Sequence, residues 1–587
     1  MTCLLAKTVC NNLAKDRRKP FTGRYWRQWV FFLSFGMFTG IMSSGVCFGQ
    51  SQTSSAHSYS VHALKHPIRI EKKEKTEKKD GNYLFWQNSG LISGSKAGNL
   101  RGGWGNNPSG RYLTSLMLHV DTPLASRWAE IMLRRALILK AGLPKDVTPQ
   151  GWIAARANLL LQLGEADAAR ALIQKSGLAP DALLLDATVK TVLATADPAG
   201  LCPLLPYFAN TDLKDANETL VRALCAGLGG DDAVSSWLFS RANYKGDQTD
   251  RKLAQKLALA GSHDNHTIHI NRGEVGHLTP WRFGMATAAG LFLPDYLYGS
   301  LNPAYWAFLA RSTMIPARSR VTAIRKAAVL GVFSNSALVD FYSSLSASDN
   351  EHDNNDLVIN DDIPNLKQAY INRDETSRVK AIENLIRNGD DADEHYAGMI
   401  LTARAASYIT PNKRYRDIIP DLLGAMFSAG FDQAATRWAS AVKDMDKEQS
   451  DPAWILLALG SPDKVMDLSR NHIRHFIEQT NQSDPWRGRM AVAALAGLDR
   501  IDEEESWWFQ IHYDNFLHDE NSWVKALDKA ALSHAPATVA LLVAIGMQNR
   551  SWRSVAPSTF YHMLKAMKKV GLENEARMMA VEMMSRT

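Results

Sequence analysis

Cysteine is scarce in this chain, with 5 residues among 587. That number excludes a small protein built on a disulfide framework, and it leaves too few thiols for a tetrathiolate zinc site or an iron–sulfur cluster. Only Cys202 and Cys225 follow the first fifty residues. In an exported chain these two could form a disulfide between neighbouring helices, and the alternative is two separate buried thiols.

Long uncharged apolar runs are also rare. Only Trp29–Phe48 approaches membrane length, which excludes a polytopic membrane protein. Residues 1–27 carry seven Lys or Arg and one acid, and small residues follow the apolar centre at Val30–Met42. These features predict a secretory signal over residues 1–49 and a body exported to the periplasm. An uncleaved anchor over residues 29–48 is the alternative, and it would be the only contact with a membrane.

The body of the chain lacks a surplus of positive charge, although the formal net charge of the whole chain is +7. Residues 1–80 contain fourteen Lys or Arg and five acids, so they carry +9 and leave −2 for residues 81–587. A groove that binds nucleic acid needs an excess of cations over one face. The charge distribution therefore predicts no nucleic-acid partner.

The signatures of common catalytic and metal sites are missing. The chain has no G-x-S-x-G, H-E-x-x-H or Walker-type loop. His263, His266 and His269 form the densest imidazole cluster, but a helix would spread them over about 120° and a strand would turn the middle one away. We expect a polar exposed connection there, and we predict no catalytic, cofactor-binding or metal-binding residue.

Residues 50–115 offer little apolar surface for a core. A Lys-rich run at Glu71–Asp80 leads into residues 81–110, which contain eight Gly in thirty positions. A segment of this composition cannot bury enough apolar surface to offset the entropy of ordering it. The composition predicts a flexible linker over residues 50–115.

Beyond that segment, apolar residues recur at the spacing of helices, and strand signals are scarce. Three pairs of amphipathic helices are separated by a glycine, with an alanine five positions after it. The pairs are Gly164 with Ala169, Gly430 with Ala435, and Gly571 with Ala576. A short turn needs a residue that tolerates positive φ, and the second helix needs a small side chain where it crosses the first. The pattern predicts an all-α fold built from helical hairpins.

These hairpins resemble the units of tetratricopeptide-type repeats. The motifs that carry the resemblance are LLLQLGEADAARAL, LLGAMFSAGFDQAATRW and HMLKAMKKVGLENEARMMAV. The three glycines lie 266 and 141 residues apart, and neither interval is close to a whole number of 34-residue periods. The resemblance therefore implies an irregular α-solenoid, loosely similar to exported bacterial helical-repeat proteins. An irregular all-α bundle is the alternative.

One acidic stretch interrupts the helical pattern. Asp349–Asp362 contains six acids and no Lys or Arg. We expect an acidic linker over residues 346–372 that divides the helical repeats into a first half, residues 116–345, and a second half, residues 373–587.

These observations predict an exported scaffold or adaptor that binds a protein or an extended polymer of the cell envelope. The alternative is a cell-wall glycan-cleaving enzyme or its accessory, because an exported helical body also resembles the superhelical body of soluble lytic transglycosylases. That resemblance implies a catalytic Glu-Ser pair closely followed by Gly-x-Met-Gln. Here Glu505-Ser506 is followed only forty residues later by Gly546-Met547-Gln548, which lacks the intervening residue. Glu505 is the candidate acid in this alternative.

Overall fold

A computed structural model describes residues 89–208, 217–241, 248–261, 268–271, 273, 275–347, 357–389, 391–513 and 520–587. The expected signal, residues 1–49, and the first part of the expected linker lie outside the described residues. Over the described ranges the chain forms 28 α-helices and no strands, so the predicted all-α fold is confirmed there. None of the described helices is long and apolar enough to span a bilayer.

The helices of the first part of the chain are α1 Gly110–Leu118, α2 Arg127–Leu137, α3 Pro149–Gln162, α4 Ala166–Ser176, α5 Ala182–Ala194, α6 Leu205–Phe208, α7 Glu218–Leu228, α8 Asp232–Arg241, α9 Gln248–Ala258, α10 Pro280–Ala288, α11 Asp295–Tyr298, α12 Ala304–Arg311, α13 Val321–Val329 and α14 Asn335–Ala347. Those of the second part are α15 Leu357–Ile371, α16 Glu375–Arg387, α17 Ala392–Ala406, α18 Ile419–Ser428, α19 Asp432–Thr436, α20 Ala439–Lys443, α21 Lys447–Gly460, α22 Arg470–Ser483, α23 Pro485–Gly497, α24 Glu503–His512, α25 Ser522–Leu532, α26 Pro536–Gly546, α27 Pro557–Lys569 and α28 Glu573–Arg586.

The three predicted hairpin turns are confirmed. Gly164, Gly430 and Gly571 have φ of +80°, +75° and +85°. In each turn the next residue's amide donates to a carbonyl five positions back, as Glu165 does to Leu160 at 2.9 Å. This hydrogen bond closes the end of the first helix. The alanines that follow are fully buried, at residues 169, 435 and 576.

The same turn occurs at places where the sequence pattern did not indicate it. Ala196, Asp499 and His534 take the left-handed conformation, with φ between 48° and 51°. Gly230 also has positive φ. The turns at residues 164, 196 and 230 are therefore 32 and 34 residues apart, and the turns at residues 499, 534 and 571 are 35 and 37 residues apart. The turn therefore recurs at a nearly constant interval near each end of the described chain.

The helices share one extensive hydrophobic core, whose buried residues run from Ala97 to Met584. Some helices are covered on every side. In α26 all residues from Pro536 to Ala544 are buried, because this helix lies among α1, α2, α25 and α27. A helix that is apolar all round is stable only in such an enclosed position.

The flexible linker predicted up to residue 115 is wrong for its described part. Ala97, Leu100 and Trp104 are buried, and the Trp104 ring meets the edge of Trp152 at a centroid distance of 5.5 Å. The Thr538 hydroxyl donates to the Trp104 carbonyl at 2.9 Å. A few apolar residues among many glycines are enough to dock this segment on the core, and composition alone does not reveal them.

The acidic linker is also wrong where the structure describes it. Residues 357–371 form α15, which packs on α16, and Asp362 is fully buried. The Asp362 carboxylate accepts hydrogen bonds from Arg325 and Tyr342, each at 3.2 Å. A buried acid needs such partners, so this one anchors the helix to the core. The two expected halves belong to one compact unit.

Contacts between the two ends of the described chain hold α2 in the middle of the fold. The Glu582 carboxylate on α28 accepts hydrogen bonds from the Ser126 hydroxyl at 2.6 Å and from the Arg127 amide at 2.8 Å. The Arg127 guanidinium donates to the carbonyls of Ala328 and Ser428, both at 2.8 Å. These bonds join α2 to the ends of α13 and α18, beside a large open groove.

Candidate functional site

Of the two cavities considered for a binding site, the larger is an open groove of about 900 Å³. It lies between α2, α12, α13, α14 and the C-terminal ends of α17 and α18. We call it the arginine groove, because five arginines line it: Arg127, Arg134, Arg311, Arg320 and Arg404. The acids of its lining are Asp167 and Asp340. The groove therefore carries an excess of positive charge, although the body as a whole is nearly neutral.

Two of the arginines are already neutralised by acids. Glu165, whose side chain is almost fully buried, accepts from Arg134 at 2.5 Å and from Arg311 at 3.1 Å. Arg311 also pairs with Asp167 at 2.6 Å. Within the described part of the chain, neither Arg320 nor Arg404 pairs with a carboxylate.

Four of the five guanidiniums lie over aromatic rings. The distances to the ring centroids are 6.0 Å for Arg127 over Trp128, 5.7 Å for Arg311 over Phe333, 5.6 Å for Arg320 over Phe341, and 4.5 Å for Arg404 over Phe431. Each ring is half-buried. A cation on a ring face is held in place, and those of its N–H groups that have no acceptor in the protein can still bind a carboxylate.

The helices explain why these cations lie where they do. Arg311 is the last residue of α12, and Arg404 lies in the last turn of α17, where the helix dipole favours a positive charge. Burial lowers the pKa of Arg320. Its Nη1 donates to the Ala310 carbonyl at 2.8 Å, and its Nε–H has no hydrogen-bond partner in the described part of the chain. The first turn of α14 lines the same groove and is capped by the Ser334 hydroxyl, which accepts from the Ala337 amide at 3.2 Å. Its dipole adds to the positive potential.

A second cavity, of about 290 Å³, is smaller and has balanced charges. It is lined by four cations and three acids: Arg325, Lys326, Arg550, Arg586, Asp391, Asp393 and Glu394. Arg325 pairs with Glu394, and Arg586 pairs with Asp393. These internal pairs leave little net charge for a ligand. The arginine groove is therefore the stronger candidate for a binding site.

Glu505, the acid of the enzymatic alternative, is engaged in a local ion pair. It is the third residue of α24 and accepts a hydrogen bond from the Arg470 guanidinium at 2.7 Å. Arg470 in turn lies over the Trp508 ring. Met547 is fully buried, and its carbonyl accepts from the Ala125 amide at 2.9 Å. Both motifs therefore have packing contacts in the described structure.

The other residues that the sequence singled out are placed as follows. Cys202 and Cys225 form a disulfide, which joins a short 3₁₀ helix at Pro198–Leu204 to α7. His269 is exposed, and His263 and His266 lie outside the described residues. Among the residues that the structure describes, no group of three or more His, Cys, Asp or Glu is arranged to hold a metal ion.

Sequence reasoning did not find the arginine groove. Its cations are spread between residues 127 and 404, with two on α2 and three farther along the chain, so they form no cluster in the sequence. The net charge of the body did not indicate the groove either, because acids outside the groove balance its arginines. Only the fold brings these arginines to one surface.

No protein-family model, curated protein or solved structure matches this chain.

Proposed function

We propose that this chain is a periplasmic helical-repeat scaffold or adaptor that binds a protein or an extended polymer of the cell envelope. The partner binds in the arginine groove. The observation that carries the proposal is the pair Arg320 and Arg404, two cations in one open groove without a carboxylate partner among the described residues. Cations that the protein leaves unpaired on a concave surface favour an anionic partner.

The spacing of the turns supports a repeat architecture. Turns at intervals of 32 to 37 residues near both ends of the described chain agree with the period of about 34 residues that tetratricopeptide-type repeats have. Stacked helical hairpins of this kind form concave surfaces that bind extended partners. On this proposal the fold is an irregular α-solenoid whose inner surface contains the groove.

Export is supported by two separate features. The N-terminal 49 residues have the charge and apolar pattern of a secretory signal, or of an anchor over residues 29–48 if they are not removed. The disulfide between Cys202 and Cys225 is typical of an oxidising compartment such as the periplasm.

The alternative proposal is a cell-wall glycan-cleaving enzyme, or an accessory related to the superhelical body of lytic transglycosylases. The observation that favours it is the surface around Glu505, where Trp507 is 64% exposed. An exposed aromatic ring is a suitable platform for a sugar. Against it, Glu505 pairs with Arg470, and neither residue lines any of the cavities described above.

Site-specific photo-crosslinking in the native host tests the proposal. A photoreactive residue replaces Ser336, an exposed residue of the groove, or Ser522, an exposed residue in the first turn of α25 that serves as the matched control. We expect an envelope partner to crosslink from position 336 and not from position 522, and we expect Arg404→Glu to remove the adduct. The absence of an adduct at position 336, or an equal one at both positions, would refute the proposal. Cell fractionation locates the adduct.

A further inference from the structure

We infer that the occupant of the arginine groove is an acidic peptide segment in which two or three carboxylates are separated by apolar side chains. The inference rests on the proposed function, because it names the partner chemistry of the same groove. It follows from three observations: the number of free cations, the apolar lining between them, and the planar geometry of the groups that would bind.

The charge balance sets how many negative charges the groove can accept. Five arginines and two acids line it, and Arg134 and Arg311 are already paired with Glu165. Among the described residues, neither Arg320 nor Arg404 has a carboxylate partner, although the Ala310 carbonyl accepts from Arg320 Nη1 at 2.8 Å. Arg127 adds positive charge, although backbone carbonyls accept from it. A ligand with two or three carboxylates matches this balance. A polymer with a charge on every unit would need more free cations than the groove has.

Part of the surface between the cations is apolar. The half-buried side chains of Ile131, Phe341 and Phe431 contribute to the lining, beside the polar side chains of Ser334 and Ser336. Aliphatic and aromatic surface of this kind is stabilised by apolar side chains that exclude water from it. A peptide that alternates acidic and apolar side chains can contact both the arginines and the apolar side chains of the lining. A phosphate or sugar polymer has no apolar side chains to place against the latter.

The planar guanidinium favours a carboxylate. An arginine can donate two parallel hydrogen bonds to the two oxygens of one carboxylate, and a ring beneath it limits its motion. Arg320 lies over the Phe341 ring and Arg404 over the Phe431 ring. Arg404 is exposed and can bind a carboxylate in this way, whereas Arg320 Nη1 already donates to the Ala310 carbonyl, so Arg320 has fewer N–H groups to offer. Arg320 lies directly before α13 and Arg404 lies on α17, so the two select carboxylates at separate positions of an extended chain.

Fluorescence anisotropy with a labelled synthetic peptide that alternates Glu and Leu tests the inference. We expect the full-length protein to bind it, and we expect Arg404→Glu to weaken binding by about tenfold or more. Arg111→Glu makes the same change of charge at an exposed position on α1, outside the groove lining, and should alter binding by less than about twofold. Added salt should weaken binding to the wild-type protein.

A second variant keeps the test valid if Arg404→Glu does not fold. Asp340 is an exposed acid of the groove, and Asp340→Asn should tighten the binding of the peptide by about twofold to fivefold because it removes a repulsive charge. A peptide that alternates Gln and Leu should not bind.

Three outcomes overturn the inference. They are no binding of the acidic peptide to the wild-type protein, equal binding to wild type and Arg404→Glu, and tighter binding of polyphosphate than of the peptide. In the last case, with polyphosphate binding lost in Arg404→Glu, the groove would remain a binding site and the proposed function would stand. Failure of the crosslinking from position 336 would instead refute the proposed function itself.

Discussion

At the scale of single residues, buried charges lie where α2 meets α28. Glu130 on α2 is only 4% exposed, and its carboxylate accepts a hydrogen bond from the Leu124 amide at 2.9 Å. Burial raises the pKa of Glu130 well above its ordinary value of 4.5, and the negative charge of Glu582 acts in the same direction. The Leu124 hydrogen bond and Arg586 oppose this shift.

The raised pKa of Glu130 predicts that the stability of the protein depends on pH. Because the pKa of Glu130 is higher in the folded than in the unfolded protein, the folded state binds a proton more readily above pH 4.5. Its contribution to the free energy of unfolding is therefore most favourable at low pH and is lost as the pH rises through the folded-state pKa. Each unit of difference in pKa corresponds to about 1.4 kcal/mol. Glu130→Gln is uncharged and still offers an acceptor to Leu124.

Urea unfolding at pH 4.5 and pH 7 measures the effect. We expect the stability of Glu130→Gln relative to wild type to increase by about 1 kcal/mol or more between the two pH values. Glu503→Gln is the control, because Glu503 is exposed at the start of α24 and its replacement should change stability by less than about 0.5 kcal/mol. A stability difference between Glu130→Gln and wild type that does not change with pH would contradict the role of burial.

At the scale of helices and turns, the glycine turns differ in what surrounds them. A Cβ atom at Gly164 would lie 2.7 Å from the Ala307 Cβ and 3.2 Å from the Val332 side chain. At Gly571 it would meet nothing within 4 Å. Both residues have positive φ, so only the packing of the turn distinguishes them.

The two turns form a matched pair of substitutions. Gly571→Ala should destabilise the protein by about 1 to 2 kcal/mol, the cost of the left-handed conformation alone. Gly164→Ala should cost at least about 1 kcal/mol more, because the added methyl group overpacks the contact with α12. Chemical unfolding of both variants measures the difference. Equal losses of stability would contradict this expectation, because they would mean that α12 moves to accommodate the methyl group with no loss of free energy.

The sequence was informative where local chemistry decides the structure. The turns at Gly164, Gly430 and Gly571 could be predicted, since helical periodicity and a glycine tolerant of positive φ occur together there. The equivalent turns at Ala196, Asp499 and His534 could not, because alanine disfavours that conformation, and Asp and His adopt it far less readily than glycine does. The packed segment before α1 and the helix α15 were missed for a related reason: burial of Trp104 and Asp362 depends on distant parts of the chain.

At the scale of the whole molecule, the candidate site exists only in the folded protein. The groove forms because α2 packs on α28 and because Arg127 bonds to the ends of α13 and α18, which places arginines from distant parts of the sequence around one cavity. Composition described a neutral body, and that description was correct for the average charge. It could not predict a local excess of cations, since the distribution of charge over a surface depends on tertiary packing. The fold class could be predicted from the sequence, and the site could not.

Tertiary packing also decides the surroundings of Glu505, the candidate acid of the enzymatic alternative. Sequence placed Glu505 beside a serine, but the structure pairs it with Arg470 on the neighbouring helix. The arginine groove, by contrast, has cations without acidic partners among the described residues and an apolar lining. These are the features on which the proposed role in binding rests.

The most direct test of this account is a structure of the full-length protein with the acidic peptide or the crosslinked partner bound. The account predicts an extended segment in the groove, with carboxylates within hydrogen-bond distance of the Arg320 and Arg404 guanidiniums and apolar side chains against Phe341 and Phe431. A partner bound elsewhere, for example on the α24 surface around Trp507, with nothing seated in the groove, would contradict it.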